Sequence, residues 1–370
     1  MEKKMGAKVS IVVPVYNGAN SIGSCLNNLT KQTLKEIEIV CVNDGSKDET
    51  LDIIKEWIKK DKRIKVVSQE NGGLSAARNT GIKNTKTPYV MFCDADDVFK
   101  PSMCKKMVEA IENNETDIAA CGTEVEYKAH AEIKDSDTNY YRIKFEGRNY
   151  INDDITARTD VSVCDKIFRM DLISKYKIDF PEKLNNEDYY FYNAYMSVAK
   201  TIFFVNQKLY KYIRHEDSIM SGNFDRDTYS PDHLLVAKKL FNFYKKNGFL
   251  ENHKDFFWNR FTESYWFSYE HSAKKYHNKI QQIAKEFIAA NIHQYEPISP
   301  RTRRQVYVIY HNNLVHKVWR AIKGKMGRFY RKVNIAYRQQ EYINWTIEKL
   351  EQESYEISER LDKMEKENEK

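Results

Sequence analysis

The sequence is poor in the residues that mark several protein classes. Its six cysteines are scattered and form no CxxC pair, which indicates buried thiols in a reducing compartment and argues against disulfides or a zinc site. Thirteen glycines and seven prolines among 370 residues exclude a collagen-like or linker-dominated chain. The apolar runs, such as Ile11–Val13 and Tyr89–Cys93, are far shorter than the roughly 18 residues of a membrane span. The polar stretch Met1–Lys8 lacks a signal-peptide core, so we expect no export.

Two phosphate-binding motifs are also missing. The chain has neither a GxxxxGK[ST] loop nor a GxGxxG turn, which excludes a nucleoside triphosphatase of the first type and a dinucleotide-binding protein of the second. What the sequence does have is enough apolar residues for a large core, with 41% hydrophobic and 31% charged residues.

The net charge of +7 is unevenly distributed. Pro297–Gln340 contains eleven Lys or Arg and no acid, whereas residues 341–370 contain ten acids and five bases, so residues 1–296 carry only +1. The basic segment includes Leu314, Val318, Ile322 and Met326 at helical spacing. This pattern predicts a basic amphipathic element on an anionic membrane surface; the alternative is a solvated basic face packed on the protein's own helices. No nucleic-acid-binding motif accompanies the charge, so we expect no nucleic-acid partner.

The first 122 residues alternate between short β-branched runs and helical patterns. This alternation predicts an α/β fold with a parallel sheet covered on both faces. The predicted strands are Val9–Val15, Ile37–Val42, Ile64–Val67, Tyr89–Cys93 and Ile118–Cys121. The predicted helices are Ile22–Gln32, Asp48–Lys59, Ala76–Ile82 and Ser102–Glu112.

Beyond residue 122 the pattern changes. Thr123–Gly147 is polar and predicts a long excursion, Thr201–Ile213 predicts a pair of strands, and Pro231–Ile292 is helical with an aromatic stripe that favours a core. Ile343–Met364 fits about three heptads, which predicts a coiled-coil-like helix that contributes to a homo-oligomer. The expected domains are a catalytic unit at 1–225 (halves 1–122 and 123–225), a helical region at 226–296, a basic segment at 297–340 and the terminal helix at 341–370.

Polar residues follow each of the first four predicted strands. They are Pro14–Gly18, Asn43–Ser46, Gln69–Gly73 and Asp94–Asp97. Each could be an ordinary turn, but in an open parallel sheet ligands bind at the carboxyl ends of the strands, where all four would meet. The acidic group Asp94-Ala95-Asp96 follows a buried strand and needs its charge neutralised. Mg²⁺ or Mn²⁺ bound by one or two carboxylates plus substrate phosphates would do this, which predicts a phosphate-bearing substrate.

These motifs, in this order, resemble family 2 glycosyltransferases with a GT-A fold. The resemblance rests on Val12–Asn17, Asn43–Ser46, Gly73–Gly81 and Asp94–Asp97, and extends more loosely through Asn186–Asp188 and Tyr212–Ser218. It implies a Rossmann-like, mostly parallel sheet flanked by helices, followed by a helical C-terminal region. It also implies an inverting transfer of a sugar from a UDP-sugar to a glycan or lipid-linked acceptor, in the synthesis of a surface polysaccharide or glycolipid. Together with the basic segment at 297–340, this predicts a cytoplasmic enzyme that is peripheral on the cytoplasmic face of a membrane.

The resemblance also implies roles for individual residues. Pro14, Val15 and Tyr16 would line the base pocket, Asp44 would hydrogen-bond the base, and Arg78 would lie near the sugar or pyrophosphate. The full set implied to bind the nucleotide sugar is Pro14, Val15, Tyr16, Asn17, Asp44, Ser46, Asn71, Gly72, Gly73, Arg78, Asp94, Arg214 and Ser218.

The catalytic and metal-binding roles follow from the later motifs. Asp188, with Glu187 beside it, would supply the catalytic base, and Asp96 would bind the Mn²⁺ or Mg²⁺ ion with His215 as a further ligand. Asp97 is interpreted as a helix cap. A non-catalytic sugar-nucleotide-binding scaffold that oligomerises through its C-terminal helix is the alternative, and the intact acid pairs argue against it. A nucleotidyltransferase ranks lower because Gly18 is the only glycine in Tyr16–Ser21.

Overall fold

The computed structural model describes residues 6–127, 145–214 and 231–311. The chain divides into two compact units, Met1–Tyr310 and His311–Lys370, and the described residues belong almost entirely to the first. All six cysteines are buried and unpaired, as their scattered spacing predicts.

The described residues contain a mixed sheet of nine strands. In chain order they are β1 Val9–Val15, β2 Ile37–Asp44, β3 Ile64–Gln69, β4 Tyr89–Phe92, β5 Val98–Phe99, β6 Ile118–Tyr127, β7 Gly147–Tyr150, β8 Lys166–Arg169 and β9 Thr201–Arg214. Their order across the sheet is β3-β2-β1-β4-β8-β6-β9-β5, and β7 also pairs with β9. The central strands β1 and β2 are buried along their whole length, which explains why their sequences are continuous apolar runs.

The parallel half of the sheet is the one that the alternating pattern predicts. β1 pairs in parallel with β2 and with β4, and β2 pairs in parallel with β3. The other half departs from a purely parallel arrangement, because β8 lies between β4 and β6 and is antiparallel to both. The carboxyl ends of β1 to β4 therefore lie along one edge, as predicted.

Two predictions for the second half need correction. Thr201–Arg214 is a single strand of 14 residues, so the predicted strand pair is wrong. β9 pairs with β6 over most of its length, and register shifts around Gly122 let the long strands stay paired despite an irregularity. Thr123–Tyr127 continues β6 and is not part of an excursion; residues 128–144 lie outside the described residues.

The helices of the described chain cover the sheet and then form a helical region. They are α1 Ile22–Thr30, α2 Thr50–Lys60, α3 Leu74–Asn84, α4 Met103–Asn113, α5 Asp153–Arg158, α6 Met170–Tyr176, α7 Glu187–Val198, α8 Asp232–Lys246, α9 Lys254–His271, α10 His277–Asn291 and α11 Pro300–His311. The aromatic stripe of α8 and α9 is core, as expected: Phe241, Trp258 and Tyr265 are buried, and the Trp258 indole N–H donates to the Tyr295 carbonyl at 2.6 Å.

Some predicted segments lie only partly within the described residues. The described part of the basic segment forms α11, whose Val306 and Ile309 are buried. Residues 312–340 and the predicted coiled-coil helix at 343–364 lie outside the described residues. In the described ranges, no helix is both long enough and apolar enough to cross a membrane.

Helix α3 approaches β1 closely at Gly81. A Cβ built on Gly81 would lie 2.2 Å from Cγ1 of Val12, a buried core residue. Gly81→Ala is therefore expected to lower the free energy of unfolding by about 1–3 kcal/mol, as overpacking of a core does. Urea denaturation would measure this change.

The matched control is Gly23→Ala in α1, where the nearest atom to an added Cβ, Ile53 Cγ2, lies at 3.7 Å. Replacing a helical glycine by alanine normally stabilises by about 0.5–1 kcal/mol. We expect that result at Gly23 and the opposite sign at Gly81. Equal stabilisation of both variants would contradict the close α3–β1 approach.

Candidate active site

The loops that follow β1 and β2 are tied to each other. The backbone N–H of Asn17 donates to Ser46 Oγ at 3.0 Å, and the Asn17 side-chain oxygen accepts from the Lys47 N–H at 2.8 Å. Asn17 has a φ of 47°, a left-handed conformation that asparagine tolerates. Tyr16, just before it, is 48% exposed at this edge, whereas Pro14 and Val15 are buried in β1. The two loops thus form one connected rim beside an accessible aromatic ring.

The loop after β3 is held by a carboxylate at the end of β2. Asp44 Oδ1 accepts hydrogen bonds from Gln69 Nε2 at 2.7 Å and from the Gly72 N–H at 2.8 Å, and Oδ2 accepts from the Gly73 N–H at 2.8 Å. A carboxylate has about four acceptor positions, so one remains available. Asn71 lies against Gly45, where an added Cβ would be 2.8 Å from the Asn71 nitrogen.

The side chain of Arg78 links motifs that are far apart in sequence. Nη1 donates to Glu187 Oε1 at 2.8 Å and to Asp188 Oδ1 at 2.6 Å, and Nη2 donates to Asp94 Oδ1 at 3.0 Å. The guanidinium lies over the ring of Phe180, 5.3 Å from its centroid, and Arg78 is only 2% exposed. The resemblance implied a position near the donor; the structure shows that Arg78 gathers three carboxylates.

Local structure explains how each carboxylate reaches Arg78. Asp94 follows directly after β4, on the edge where the parallel strands end. Glu187 and Asp188 occupy the first turn of α7, where the positive end of the helix dipole favours acidic side chains. Asn186 precedes them with a left-handed φ of 64°, which turns the chain into the helix. Arg78 itself lies on α3, the helix packed on β1.

The environment of Asp188 changes its titration. Burial, together with the charges of Glu187 and Asp94, raises the pKa of Asp188 to about 7, although Arg78 opposes the shift. Burial opposes protonation of Arg78, but the surrounding carboxylates override it and hold its pKa well above the ordinary value. A carboxylate with a pKa near neutrality is suited to accept a proton from a hydroxyl during reaction.

Asp97 has a structural task that the sequence did not predict. Its carboxylate accepts hydrogen bonds from the Tyr210 hydroxyl and from the Ile213 N–H, the latter at 2.7 Å. Burial and the nearby Asp94 raise the pKa of Asp97 to about 8. The interpretation of Asp97 as a helix cap is wrong, since it anchors β9, and Ser102 occupies the N-terminal position of α4 without a side-chain cap bond.

A buried polar cluster next to α7 was also missed. Lys166, with no exposed surface, donates from Nζ to Asp165 Oδ1 and to the Ser162 carbonyl, both at 2.7 Å. These bonds hold the segment before β8 in place. Within that segment the Val163 N–H donates a hydrogen bond to Asp188. In the sequence, this cluster is indicated only by the adjacent residues Asp165 and Lys166 beside an apolar run.

Asp94 and Asp96 offer the type of ligand that a hard divalent cation prefers. Both are half-buried carboxylates just beyond the end of β4. Among residues 6–127, 145–214 and 231–311, no group of three or more His, Cys, Asp or Glu side chains is arranged around a common metal position. Asp94 and Asp96 alone therefore fit a cation that is held by one or two carboxylates and whose coordination is completed by substrate phosphates. His215 lies outside the described residues.

The remaining predicted residues lie at the end of β9. Arg214 is its last residue and is buried, and Ser218 lies outside the described residues. The structure therefore brings the predicted residues into two groups: the loop residues at the ends of β1 to β3, and the cluster of Arg78, Asp94, Glu187 and Asp188.

Comparison with known proteins supports the interpretation of the motifs. The model of the family "Glycosyl transferase family 2" matches residues 10–176. This region is a family 2 glycosyltransferase domain. EpsH of Bacillus subtilis is 34% identical over 215 residues, which cover 57% of this chain and 62% of EpsH. Glycosyltransferase GlyA of Streptococcus pneumoniae is 33% identical over 214 residues, or 55% of this chain and 30% of GlyA. The chain thus spans less than two thirds of these relatives.

Solved structures share the fold. The structure of residues 1–349 of S. aureus TarS with UDP superposes with a TM-score of 0.63 at 21% identity, covering 82% of this chain and 86% of that one. The complex of the same protein with UDP-GlcNAc gives a TM-score of 0.53 at 21% identity, covering 82% and 89%. The expected GT-A fold of this family 2 domain is confirmed.

Proposed function

We propose that the protein is an inverting glycosyltransferase that moves a sugar from a UDP-sugar to a hydroxyl group of a glycan or lipid-linked acceptor. The observation that carries this proposal is the bridge from Arg78 to Asp94, Glu187 and Asp188, which joins the donor-side motif to the acceptor-side acid pair. The intact acid pair and the buried arginine that binds both of its carboxylates argue against the alternative of a non-catalytic scaffold. The relatives named as glycosyltransferases and the TarS complexes with UDP and UDP-GlcNAc support the same reaction and donor.

The donor binds, in this proposal, at the rim formed by the loops after β1 to β3. The exposed ring of Tyr16 stacks on the base, and the remaining acceptor position of Asp44 receives a base N–H. The glycine loop that Asp44 holds allows the donor to approach the backbone closely. The residues proposed to bind the nucleotide sugar are Pro14, Val15, Tyr16, Asn17, Asp44, Ser46, Asn71, Gly72, Gly73, Arg78, Asp94, Arg214 and Ser218.

The chemical step falls to the acid pair at the start of α7. Asp188 takes the proton from the acceptor hydroxyl as this oxygen attacks the anomeric carbon from the face opposite the diphosphate. Arg78 holds Asp188 Oδ1 in place at 2.6 Å and Glu187 positions the same guanidinium. The transition state has oxocarbenium-ion character, as in glycoside hydrolysis, and no covalent enzyme intermediate is needed.

The diphosphate leaving group develops negative charge that must be offset. Asp96 and His215 would hold a Mn²⁺ or Mg²⁺ ion, which when bound supplies Lewis-acid stabilisation of that charge. Arg214 and Ser218 would contact the diphosphate from the end of β9. The basic segment at 297–340 would attach the enzyme to an anionic membrane surface at the cytoplasmic face, and the terminal helix would contribute to a homo-oligomer.

A panel of nucleotide sugars, read out by release of the nucleoside diphosphate, tests this function. With a glycan acceptor we expect UDP release from one UDP-sugar in Mn²⁺ or Mg²⁺, and loss of activity in excess EDTA. Asp96→Asn should lose nearly all transfer while its circular dichroism spectrum is unchanged, because the amide removes a charged ligand.

The control is Asp52→Asn, which removes an exposed carboxylate of α2 that pairs with Lys55 and should keep full activity. Release of GDP or ADP but not UDP would contradict the proposed donor. Full transfer in EDTA by protein shown to contain no metal would contradict the role of Asp96.

A further inference from the structure

A basic groove lies outside the strand-end site. It has a volume of about 280 Å³ and lies between the end of α6, the segment that follows it, and helices α7 and α8. Its walls include Lys177, Asp179, Tyr190, Lys239, Phe243 and Lys246. None of these residues belongs to the motifs assigned above to donor binding, metal binding or proton transfer.

The groove concentrates positive charge on one side. Lys239, Asn242 and Lys246 are spaced by three and four residues along α8, so they share one face of that helix. Lys177 reaches the groove from the end of α6, where its left-handed φ of 54° ends the helix. Within the described part of the chain, no carboxylate forms an ion pair with any of these three lysines. Asp179 is the one acid in the wall, so the lining carries a net positive charge.

Tyr190 places a hydroxyl group on the wall of the groove. It is 8% exposed, it lines the groove, and no described residue hydrogen-bonds its hydroxyl group. This hydroxyl can donate a hydrogen bond to a molecule in the groove or accept one from it. The adjacent wall is apolar, with the ring of Phe243 6.3 Å from that of Tyr190 in an edge-on arrangement. The groove therefore offers charged, hydroxyl and apolar contacts together.

The groove is built on the same segments that hold the acid pair. Tyr190 follows Asp188 by two residues on α7, so the groove and the acid pair lie on different faces of that helix. The ring of Phe180 lies beneath the Arg78 guanidinium and stacks on Phe191 at 4.2 Å, while its two chain neighbours, Asp179 and Pro181, line the groove. A ligand in the groove thus lies against the acceptor-side half of the domain and not against the nucleotide rim.

We propose that this groove binds an anionic sugar unit of the acceptor, so that the acceptor is a glycan bearing phosphate or carboxylate groups. The inference rests on the proposed glycosyltransferase function and specifies its acceptor. The three lysines bind the anionic group, Asp179 and Tyr190 hydrogen-bond sugar hydroxyls, and Phe243 with Pro181 contacts the face of the sugar ring. Charge-assisted hydrogen bonds of this kind contribute more than neutral ones.

Binding of simple probes to the full chain tests the groove without any donor. Glucose 6-phosphate, glucuronate, glucose and inorganic phosphate would be titrated separately and followed by NMR chemical-shift changes. We expect one or both of the anionic sugars to bind at least about tenfold more tightly than glucose and than inorganic phosphate, because only they use both sets of contacts. The stronger of the two identifies the acceptor's anionic group as phosphate or carboxylate.

Two double variants on α8 distinguish binding in the groove from non-specific attraction by the positive charge of the helix. The double variant Lys239→Gln, Lys246→Gln should bind the anionic sugar about tenfold or more weakly than the parent protein. Lys238→Gln with Lys245→Gln removes the same charge from the same helix, but these lysines lie over Phe287 and Tyr295, away from the groove, and should leave binding unchanged. Tyr190→Phe should weaken binding by about two- to tenfold and leave the unfolding midpoint unchanged, since no intramolecular hydrogen bond is lost.

Equal weakening by the two lysine pairs, or equal binding of glucose and the anionic sugars, would overturn the proposal. Tight binding of inorganic phosphate alone would assign the groove to a free anion and overturn it as well. The two proposals fail separately: a protein that releases UDP but binds no anionic sugar in the groove refutes only the acceptor assignment. A protein that binds the sugar there but releases UDP from no donor refutes the glycosyltransferase function.

Discussion

Asp188→Asn is expected to lower kcat for sugar transfer by about 10²–10⁴-fold, the usual cost of removing a general base. The asparagine keeps a side-chain oxygen that can accept the 2.6 Å hydrogen bond from Arg78, so the cluster and the donor site should persist. Affinity for UDP, measured by calorimetry, should change little because a base acts in the chemical step. UDP release under saturating donor and acceptor would measure the loss of turnover.

Asp171→Asn is the matched control for this substitution. Asp171 pairs with Arg169 at the start of α6 and takes no part in the cluster, so its variant should retain parental turnover. If UDP affinity collapses in Asp188→Asn while turnover of the bound donor is preserved, Asp188 is a donor contact and the assignment as base is wrong.

The raised pKa of Asp188 adds a pH signature to this prediction. A base must be deprotonated to act, and burial raises the pKa of Asp188 to about 7. The kcat/KM of the parent enzyme should therefore rise with pH through about pH 7 and level off above it. Asp188→Asn should lose this limb of the profile, because the asparagine does not titrate. A limb that persists in the variant would assign the titration to another group.

Replacing Arg78 by methionine is expected to lower the free energy of unfolding by about 3–5 kcal/mol, the usual cost of removing one partner of a buried ion pair. The methionine fills similar volume but leaves Asp94, Glu187 and Asp188 close together with no cation between them. Urea denaturation at pH 8 would measure the loss. At pH 5 the loss should be smaller, because Asp188, whose pKa is raised to about 7 by burial, is then protonated and repels its neighbours less.

Arg158→Met is the control for the loss of an arginine. Arg158 forms an exposed pair with Asp154 in α5, and exposed pairs contribute about 0–1 kcal/mol. Arg78→Lys is the second test variant if the methionine variant does not fold. Lysine keeps the positive charge but lacks the forked geometry of the guanidinium. We therefore expect Arg78→Lys to be more stable than Arg78→Met and still impaired in turnover. Equal stability of Arg78→Met and Arg158→Met would show that Arg78 does not hold the cluster.

The sequence by itself determined the first half of the fold. Strands β1 to β4 are short apolar runs separated by helices with a regular apolar face, and both patterns depend on nearby residues alone. The same local logic located the rim formed by the loops after β1 to β3, because polar residues after parallel strands must meet at one edge of the sheet. Asp94 and Tyr16 were identified in this way, whereas Glu187 and Asp188 were identified only through the resemblance of Asn186–Asp188 to a motif of the family.

Only the tertiary structure decided how the two halves meet. Arg78 and Asp188 are separated by 110 positions, and the insertion of the antiparallel β8 between β4 and β6 brings that part of the chain beside the edge where Asp94 lies. Asp97 was interpreted as a cap because it lies shortly before a predicted helix in the sequence. Its hydrogen-bond partners, Tyr210 and Ile213, lie instead on the distant strand β9. Hydrophobic periodicity indicates which residues face a core but not which distant strand becomes the neighbour, since that choice depends on the packing of the whole chain.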